Sequence, residues 1–354
     1  MDITDLLVQT KRLNASDLHL TAGARPTLRI NGKLTRLDMP ELGREEIHAL
    51  IYDILTDEQK AKFEATHDLD FSLELNGVGR FRINAFLHRL GEGAVLRLIP
   101  EGIKSLAELG MPPVLKDLAM QDRGLVLITG PTGSGKSTTL AAMIDHMNEN
   151  REDHIITVED PIEFVHTHKK CNINQREVGP HTMSFAVALR SALREDPDVI
   201  LVGEMRDTET IEIALKAAET GHLVLSTVHT TDAARTIGRL CDAFPADAQE
   251  PLRHRLAENL KGTISQRLLP KAQGKGRVVA AEVMVSTDAI REYIVDPERT
   301  HEITDYLSKN RDVYGTQSFD QHLSELYRAG TITLDVAKSA ASNPSDFERA
   351  LSFE

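Results

Sequence analysis

The nine residues Gly130-Pro131-Thr132-Gly133-Ser134-Gly135-Lys136-Ser137-Thr138 constrain this chain more than any other stretch. They follow an apolar run, Leu125-Val126-Leu127-Ile128-Thr129, and lead into Thr139-Leu140-Ala141-Ala142-Met143-Ile144, which has a helical pattern. Strand, glycine-rich loop and helix form the setting in which GxxxxGK[ST] spacing makes a phosphate-binding loop. Glycines let backbone N–H groups turn inward around phosphates, and the helix N-terminus adds its positive end. Lys136 is expected to reach the β- and γ-phosphates of a nucleoside triphosphate, and the Ser137 hydroxyl to ligate Mg²⁺.

The grammar around that loop is α/β. From about Leu115 onward, apolar strand candidates at 125–129, 155–158, 199–202 and 223–228 are mostly separated by helical patterns, notably Phe185 to Leu193 and Thr210 to Ala218. Continuous apolar strands with interposed helices imply a mostly parallel sheet buried on both faces. The first hundred residues read as a smaller α/β unit. It has helices at 45–55 and 58–65, short strands at 18–20 and 28–30, a hairpin of 70–75 and 80–86 turning at Asn76-Gly77, and a strand from Ala94 to Ile99. The expected domains are 1–100, a linker at 101–115 marked by Gly102, Gly110, Pro112 and Pro113, a core at 116–285, and a helical region at 286–354.

Composition removes several classes. Apolar residues at 41% and charged residues at 27% fit a soluble globular protein. No run of about 18 apolar residues is present, so no direct membrane insertion is expected. The acidic N-terminus lacks the basic start and apolar core of a signal peptide, which points to the cytoplasm. Two cysteines, Cys171 and Cys241, read as ordinary buried thiols; they make neither a disulfide framework nor a four-cysteine zinc site, and no zinc is expected. A net charge of −13, with aromatics at 4% and no tryptophan, argues against gripping a nucleic-acid backbone.

Three further groups carry candidate chemistry. Val199-Ile200-Leu201-Val202-Gly203-Glu204 is an apolar strand ending in a carboxylate, and Glu204 is the expected general base that orients or deprotonates the attacking water. Glu159, Asp160 and Glu163 follow another core strand and are placed to support Mg²⁺ through water. His222 and His229 bracket one strand seven residues apart, about 23 Å when extended, too far to share a metal. His229, at the C-terminal end, is positioned to sense a γ-phosphate or a neighbouring subunit. His222 is expected to cap the preceding helix or tune an interface. Arg82, Arg89 and Arg97 lie on the hairpin and last strand of the small unit, where guanidinium groups either line an exposed sheet face or complete a nucleotide site across an interface.

Ala15-Ser16-Asp17-Leu18-His19-Leu20, the nucleotide loop, Glu159-Asp160-Pro161-Ile162-Glu163-Phe164-Val165-His166, Leu193 to Asp198, Gly203-Glu204-Met205-Arg206-Asp207, and Thr220-Gly221-His222 through His229-Thr230 occur in that order. In these motifs the chain resembles the type IV pilus retraction ATPases of the secretion ATPase superfamily, from residue 1 to about 270. That resemblance implies a PAS-like N-terminal domain, a RecA-like ATPase domain with a helical C-terminal part, and a homohexameric ring. It makes the acidic segment an Asp box, Glu204 part of a Walker B motif, and His222 and His229 a His box. It places His222, Glu159 and Asp160 among the nucleotide contacts and lets Arg82, Arg89 and Arg97 act across the subunit interface. It also implies ATP and ADP as ligands, a site at the cytoplasmic face of the inner membrane, and an inner-membrane platform protein as partner. Ala289-Ile290-Arg291 matches the start of the retraction motors' AIRNLIRE segment, but Glu292 to Asp296 departs from it. Thr316 to Leu323 and Gly330-Thr331-Ile332-Thr333 look more like the accessory retraction ATPases, so a paralogous partner motor is part of the expectation.

Other functions remain distinguishable. An assembly or secretion ATPase of the same superfamily usually carries the zinc module that two cysteines do not build. A RecA-like nucleic-acid motor would show salt-sensitive DNA binding and stimulated hydrolysis. A nucleotide-gated regulator would bind nucleotide without releasing phosphate.

Overall fold

Every residue of Gly124–Thr129 is buried, and its side chains divide between two separate cores. Leu125 and Leu127 pack on one face with Leu189, Ile200 and Val224, while Val126 and Ile128 pack on the other with Leu140, Met143 and Leu225. A strand whose side chains are apolar on both of its faces, as Leu125 to Ile128 are, is stable only between two covering layers. Each such side chain contributes about 1.5–3 kcal/mol through burial.

The computed structural model describes residues 2–30, 32–99, 102–274 and 276–353. It falls into two compact units, Met1–Gly102 and Ile103–Glu354. Leu106, Met111 and Leu115, which lie in the segment read as a linker, sit in a core of the larger unit.

The smaller unit holds helices α1 (Ile3–Arg12), α2 (Arg44–Tyr52) and α3 (Asp57–Thr66). Its strands are β1 (Asp17–Thr21), β2 (Thr27–Ile30), β3 (Lys33–Arg36), β4 (Asp68–Leu75), β5 (Gly79–His88) and β6 (Gly91–Leu98). Among the described residues they form one antiparallel sheet in the order β3-β2-β1-β6-β5-β4. One face buries Leu18, Leu20, Phe81, Ile83 and Leu96 with Leu6 and Leu7 of α1 and Ile47 and Ile51 of α2. The β4–β5 turn is one residue longer than its Asn-Gly pair implies: Leu75 pairs with Gly79, leaving Asn76, Gly77 and Val78 in the loop. All four residues of β3 are exposed, so no apolar alternation announced it.

In the larger unit α4 (Val114–Ala119) precedes β7 (Gly124–Thr129), α5 (Lys136–Asn150), β8 (His154–Glu159), β9 (Asn172–Glu177), α6 (Phe185–Ala192), β10 (Val199–Val202), α7 (Thr208–Glu219) and β11 (Leu223–Val228). Then come α8 (Ala233–Asp242), α9 (Ala246–Asn259), β12 (Leu260–Pro270) and β13 (Arg277–Val285). Helices α10 (Asp288–Val295), α11 (Glu302–Lys309), α12 (Arg311–Tyr314), α13 (Phe319–Arg328), α14 (Leu334–Ala340) and α15 (Pro344–Phe353) follow. The sheet runs β13-β12-β7-β11-β10-β8-β9, parallel throughout except for β13, which returns antiparallel along β12. Because β7, β11, β10 and β8 are parallel neighbours, the segments that follow them emerge along one edge of the sheet, where ligands of open α/β sheets bind. Side-chain caps fix where helices begin: Asp207 accepts from Thr210 N, Asp232 from Arg235 N, and Ser318 from Gln321 N.

Candidate nucleotide site

The loop leaves β7 at Thr129 and enters α5 at Lys136. Gly130 has φ +144°, and a Cβ there would lie 2.4 Å from the Gln266 carbonyl oxygen and 2.6 Å from Ser134 Oγ, so only glycine allows this approach to β12. Pro131, Thr132 and Gly133 are exposed, while Ser134 and Lys136 are buried. Lys136 Nζ donates to the carbonyls of Gly130 at 2.9 Å and Pro131 at 3.2 Å. Burial holds the ammonium below its ordinary range, although the charges of Glu204 and Glu163 pull the other way. Ser137 and Thr138 are half-buried in the first turn of α5, and Gly135 forms its N-cap without a side-chain cap.

These features fit an anionic ligand. The Ser134 hydroxyl is buried with no hydrogen-bond partner, and the start of α5 has backbone donors without a side-chain acceptor. Among the described residues no group of three or more His, Cys, Asp or Glu side chains is arranged to hold a metal by itself. The hard oxygens at hand are the Ser137 hydroxyl and the Glu204 and Glu163 carboxylates. That set suits a Mg²⁺ held largely by phosphate oxygens and water.

Beside the loop, Gly203 to Met205 is pinned between two strands. Gly203 N donates to Val158 O at 2.8 Å, Thr227 Oγ1 to Gly203 O at 2.7 Å, and Met205 N to Thr227 O at 3.2 Å. Glu204 therefore follows β10 in a fixed backbone setting, one strand over from His229 at the end of β11. Arg206 Nη2 lies 2.8 Å from Glu204 Oε2, and His229 Nε2 lies 3.3 Å from Oε1. Partial burial pushes the Glu204 carboxyl up, but the bond from Arg206 and the charges of His229 and Arg206 outweigh it, leaving a carboxyl below its ordinary range. Glu204 is thus held ionised, as a proton acceptor requires. Arg206 belongs to the same motif as Glu204, yet its position two residues along gave no sign that the side chain folds back.

The acidic segment splits. Glu163 is exposed, and its charge acts on Lys136; Asp160 is exposed one residue after β8. Glu159 is engaged within the chain. Its carboxylate accepts from Thr157 Oγ1 at 2.6 Å and Gln175 Nε2 at 3.1 Å, and burial raises its carboxyl above the ordinary range against those bonds. A carboxyl satisfied inside the chain in this way joins β8 to β9.

His222 makes the expected cap on the preceding helix. It sits at the N-terminal end of β11, where its carbonyl accepts from Gly124 N, a full strand length from the loop. Its Nδ1 lies 2.9 Å from Ala217 O and 3.3 Å from Thr220 Oγ1, capping the C-terminus of α7.

In the smaller unit, Arg82 and Arg97 are cross-strand neighbours on the polar face of the sheet, and Arg97 pairs in register with Asp17. Arg97 Nε donates to Asp17 Oδ1 at 2.8 Å, with Arg29 Nε 3.8 Å from Oδ2 and Ser16 Oγ donating to Oδ2 at 2.7 Å. Arg82 is 4.0 Å from Asp70. Arg89 is not on a strand: it occupies the exposed turn between β5 and β6. Thus two of the three arginines share a surface, and the third stands at a hairpin tip.

Several residues that build the site carried no local signal. Gln266 bridges the loop and α5, and Ser265 accepts from Thr129 Oγ1 at 3.0 Å. Glu282, buried on β13, accepts from Ala233 N at 2.8 Å and so holds the start of α8. Burial and the Asp232 charge push its carboxyl up to about 7 against the bonds from Ala233 N and Ser265 and the charge of Arg267.

Comparison with known proteins places this geometry. The profile of the family described as "Type II/IV secretion system protein" matches residues 2–348. A protein of Pseudomonas aeruginosa strain PAO1 described as "Type IV pilus retractation ATPase PilT" is 51% identical over 347 residues, covering 98% of this chain and all of that one. The same strain's "Type IV pilus ATPase PilU" is 40% identical, covering 98% of this chain and 90% of its own. A crystal structure of the pilus retraction motor PilT with bound ADP superposes with a TM-score of 0.91 at 48% identity, covering 99% of both chains.

Proposed function

The chain belongs to the type II/IV secretion system protein family, and on that footing we propose that it hydrolyses ATP to power retraction of type IV pili. The observation that carries this reading is the full-length match, at 51% identity, to a protein described as a retraction ATPase. The loop 130–138 binds the phosphates through its N–H groups, with Lys136 on the β- and γ-phosphates. Ser137, with help through water from Glu163 or Glu204, would hold a Mg²⁺, which would supply positive charge against the phosphate oxygens. Glu204 orients the attacking water and takes its proton, ADP and phosphate being the products. Arg206 and His229 keep that carboxylate ionised and aimed, and His229 follows the state of the γ-phosphate. Asp160 contributes negative charge near the metal position.

Arg82, Arg89 and Arg97 act in the site of an adjacent protomer of a homohexamer, so turnover depends on assembly. The PAS-like unit, the RecA-like core and the C-terminal helices are the domains of that protomer. The ring works at the cytoplasmic face of the inner membrane against a platform protein. Among the described residues no helix is long and apolar enough to cross a membrane. Deleting the gene and scoring pili and twitching tests the reading. Many surface pili without motility is the expected result; absence of pili would make this an assembly motor instead.

A second reading, that of an accessory retraction ATPase, is favoured by Thr316 to Leu323 and by the 40% match to PilU. Loss of motility with full pilus number that is restored only when a paralogous motor is also supplied would select it.

A further inference from the structure

A phosphate cradle works only if its peptide planes face the right way. In each plane the C=O and N–H point in opposite directions, so turning an N–H inward turns the preceding carbonyl outward. That carbonyl then needs a donor behind the loop, because a buried unpaired acceptor costs about 1–3 kcal/mol. At the Ser134–Gly135 plane the donor comes from β12. Gln266 Nε2 donates to Ser134 O at 2.8 Å, and Gln266 Oε1 accepts from Thr139 Oγ1 at 2.9 Å. Gln266 is 1% exposed and Thr139 is 2% exposed, so water does not substitute for either bond. The carboxamide is thus fixed at both ends, one on the loop and one on α5. Its strand is held in turn on both sides, by the pairing of Ser265 with Thr129 and of Gln266 with Ala281. The approach is close: a Cβ on Gly135 would lie 3.2 Å from Gln266 Nε2.

We infer that Gln266 is a positioning residue of the nucleotide site, holding the Ser134–Gly135 peptide so that the Gly135 N–H faces the phosphates. This rests on the reading of 130–138 as the nucleotide loop. The carboxamide supplies what neither an apolar side chain nor a carboxylate supplies, a donor for Ser134 O and an acceptor for Thr139 in one group. Replacing it with methionine keeps the length and apolar volume but frees the plane to rotate.

Titration with a fluorescent ADP analogue tests the inference on the full chain, using wild type, Gln266→Met and Gln266→Glu between about pH 5.5 and 8.5, where a buried carboxyl titrates. Gln266→Met should weaken binding about tenfold, the equivalent of one hydrogen bond. Gln266→Glu should approach wild type at the acid end, where a neutral carboxyl donates to Ser134 O and accepts from Thr139. It should fall away as the carboxyl ionises and repels both the carbonyl and the phosphates. Binding by Gln266→Met within twofold of wild type overturns the inference. So does protonated Gln266→Glu binding no better than Gln266→Met, which is the result expected if Gln266 merely fills space. If Gln266→Met does not fold, the pH dependence of Gln266→Glu, taken as a ratio to wild type, decides alone. Wild type that binds no ADP would sink the nucleotide-loop reading itself, a different failure from either of these.

Discussion

Gly130 and Gly133 belong to one motif, yet alanine should affect them very differently. At Gly130 the new Cβ meets the Gln266 carbonyl oxygen at 2.4 Å, where real Cβ contacts stay beyond 3.0 Å. That oxygen is main chain in a strand paired to neighbours on both sides, so relief requires moving β12 or the loop by more than half an ångström. Overpacking of this kind costs about 1–3 kcal/mol, and the unfavourable φ of +144° adds a further 1–3 kcal/mol or so. At Gly133 nothing lies within 4 Å of the new Cβ, and only the left-handed φ of +78° is penalised, by about 1–2 kcal/mol. For a unit of this size 1 kcal/mol shifts the melting temperature by about 2–4 °C. Gly130→Ala should therefore lower the midpoint of the nucleotide-free protein by roughly 4–24 °C, and Gly133→Ala by roughly 2–8 °C. Differential scanning calorimetry without nucleotide is the assay, because a bound phosphate would add its own contacts at Gly133. Equal shifts, or a larger one for Gly133→Ala, would refute the argument that contact with β12 makes Gly130 indispensable.

Other substitutions probe the chemistry. Glu204→Gln should reduce ATP turnover about 10²–10⁴-fold with ADP affinity retained, whereas Lys136→Ala should lose binding as well; unchanged phosphate release from Glu204→Gln would remove it as the base. Arg97→Ala should cut turnover by about 10³-fold or more while leaving ADP affinity within a few-fold, and an equal loss of both would count against a role in the neighbouring site. Glu282 is raised from its ordinary 4.5 to about 7. Its ionisation is thus easier in the unfolded chain, and wild type gives up stability as pH rises from about 4.5 through about 7, some 3 kcal/mol in all. Glu282→Gln cannot ionise, so its melting temperature relative to wild type should climb across that window; a difference that does not change with pH would show that Glu282 does not titrate there.

The legible parts of this protein were those in which neighbouring residues carry the physics. The loop announced itself because its glycines, lysine and serine act through one continuous turn, and β7, β10 and β11 did so because strands buried on both faces carry nearly continuous apolar runs. Strand β9, Asn-Ile-Asn-Gln-Arg-Glu, lacks that run and was invisible, since pairing along a sheet edge needs no apolar side chains. Glu204 was legible as a carboxylate at a strand end. Its ionised state was not, because it depends on Arg206 and His229 folding toward it. Glu159 and His222 both stand in conspicuous motifs; the Gln175 partner of Glu159 was not legible, whereas the cap that His222 makes on α7 was.

By itself, the sequence determined that a phosphate loop sits between a buried strand and a helix, in a parallel sheet, with a carboxylate nearby. Only the tertiary structure decided which polar groups serve that loop, because Thr129 meets Ser265, and Ser134 and Thr139 meet Gln266, across more than a hundred residues of chain. Spacing along the chain reports contacts made within a turn or a strand. Hydrogen bonds between distant strands depend on register and sheet order, which no local pattern of residues encodes.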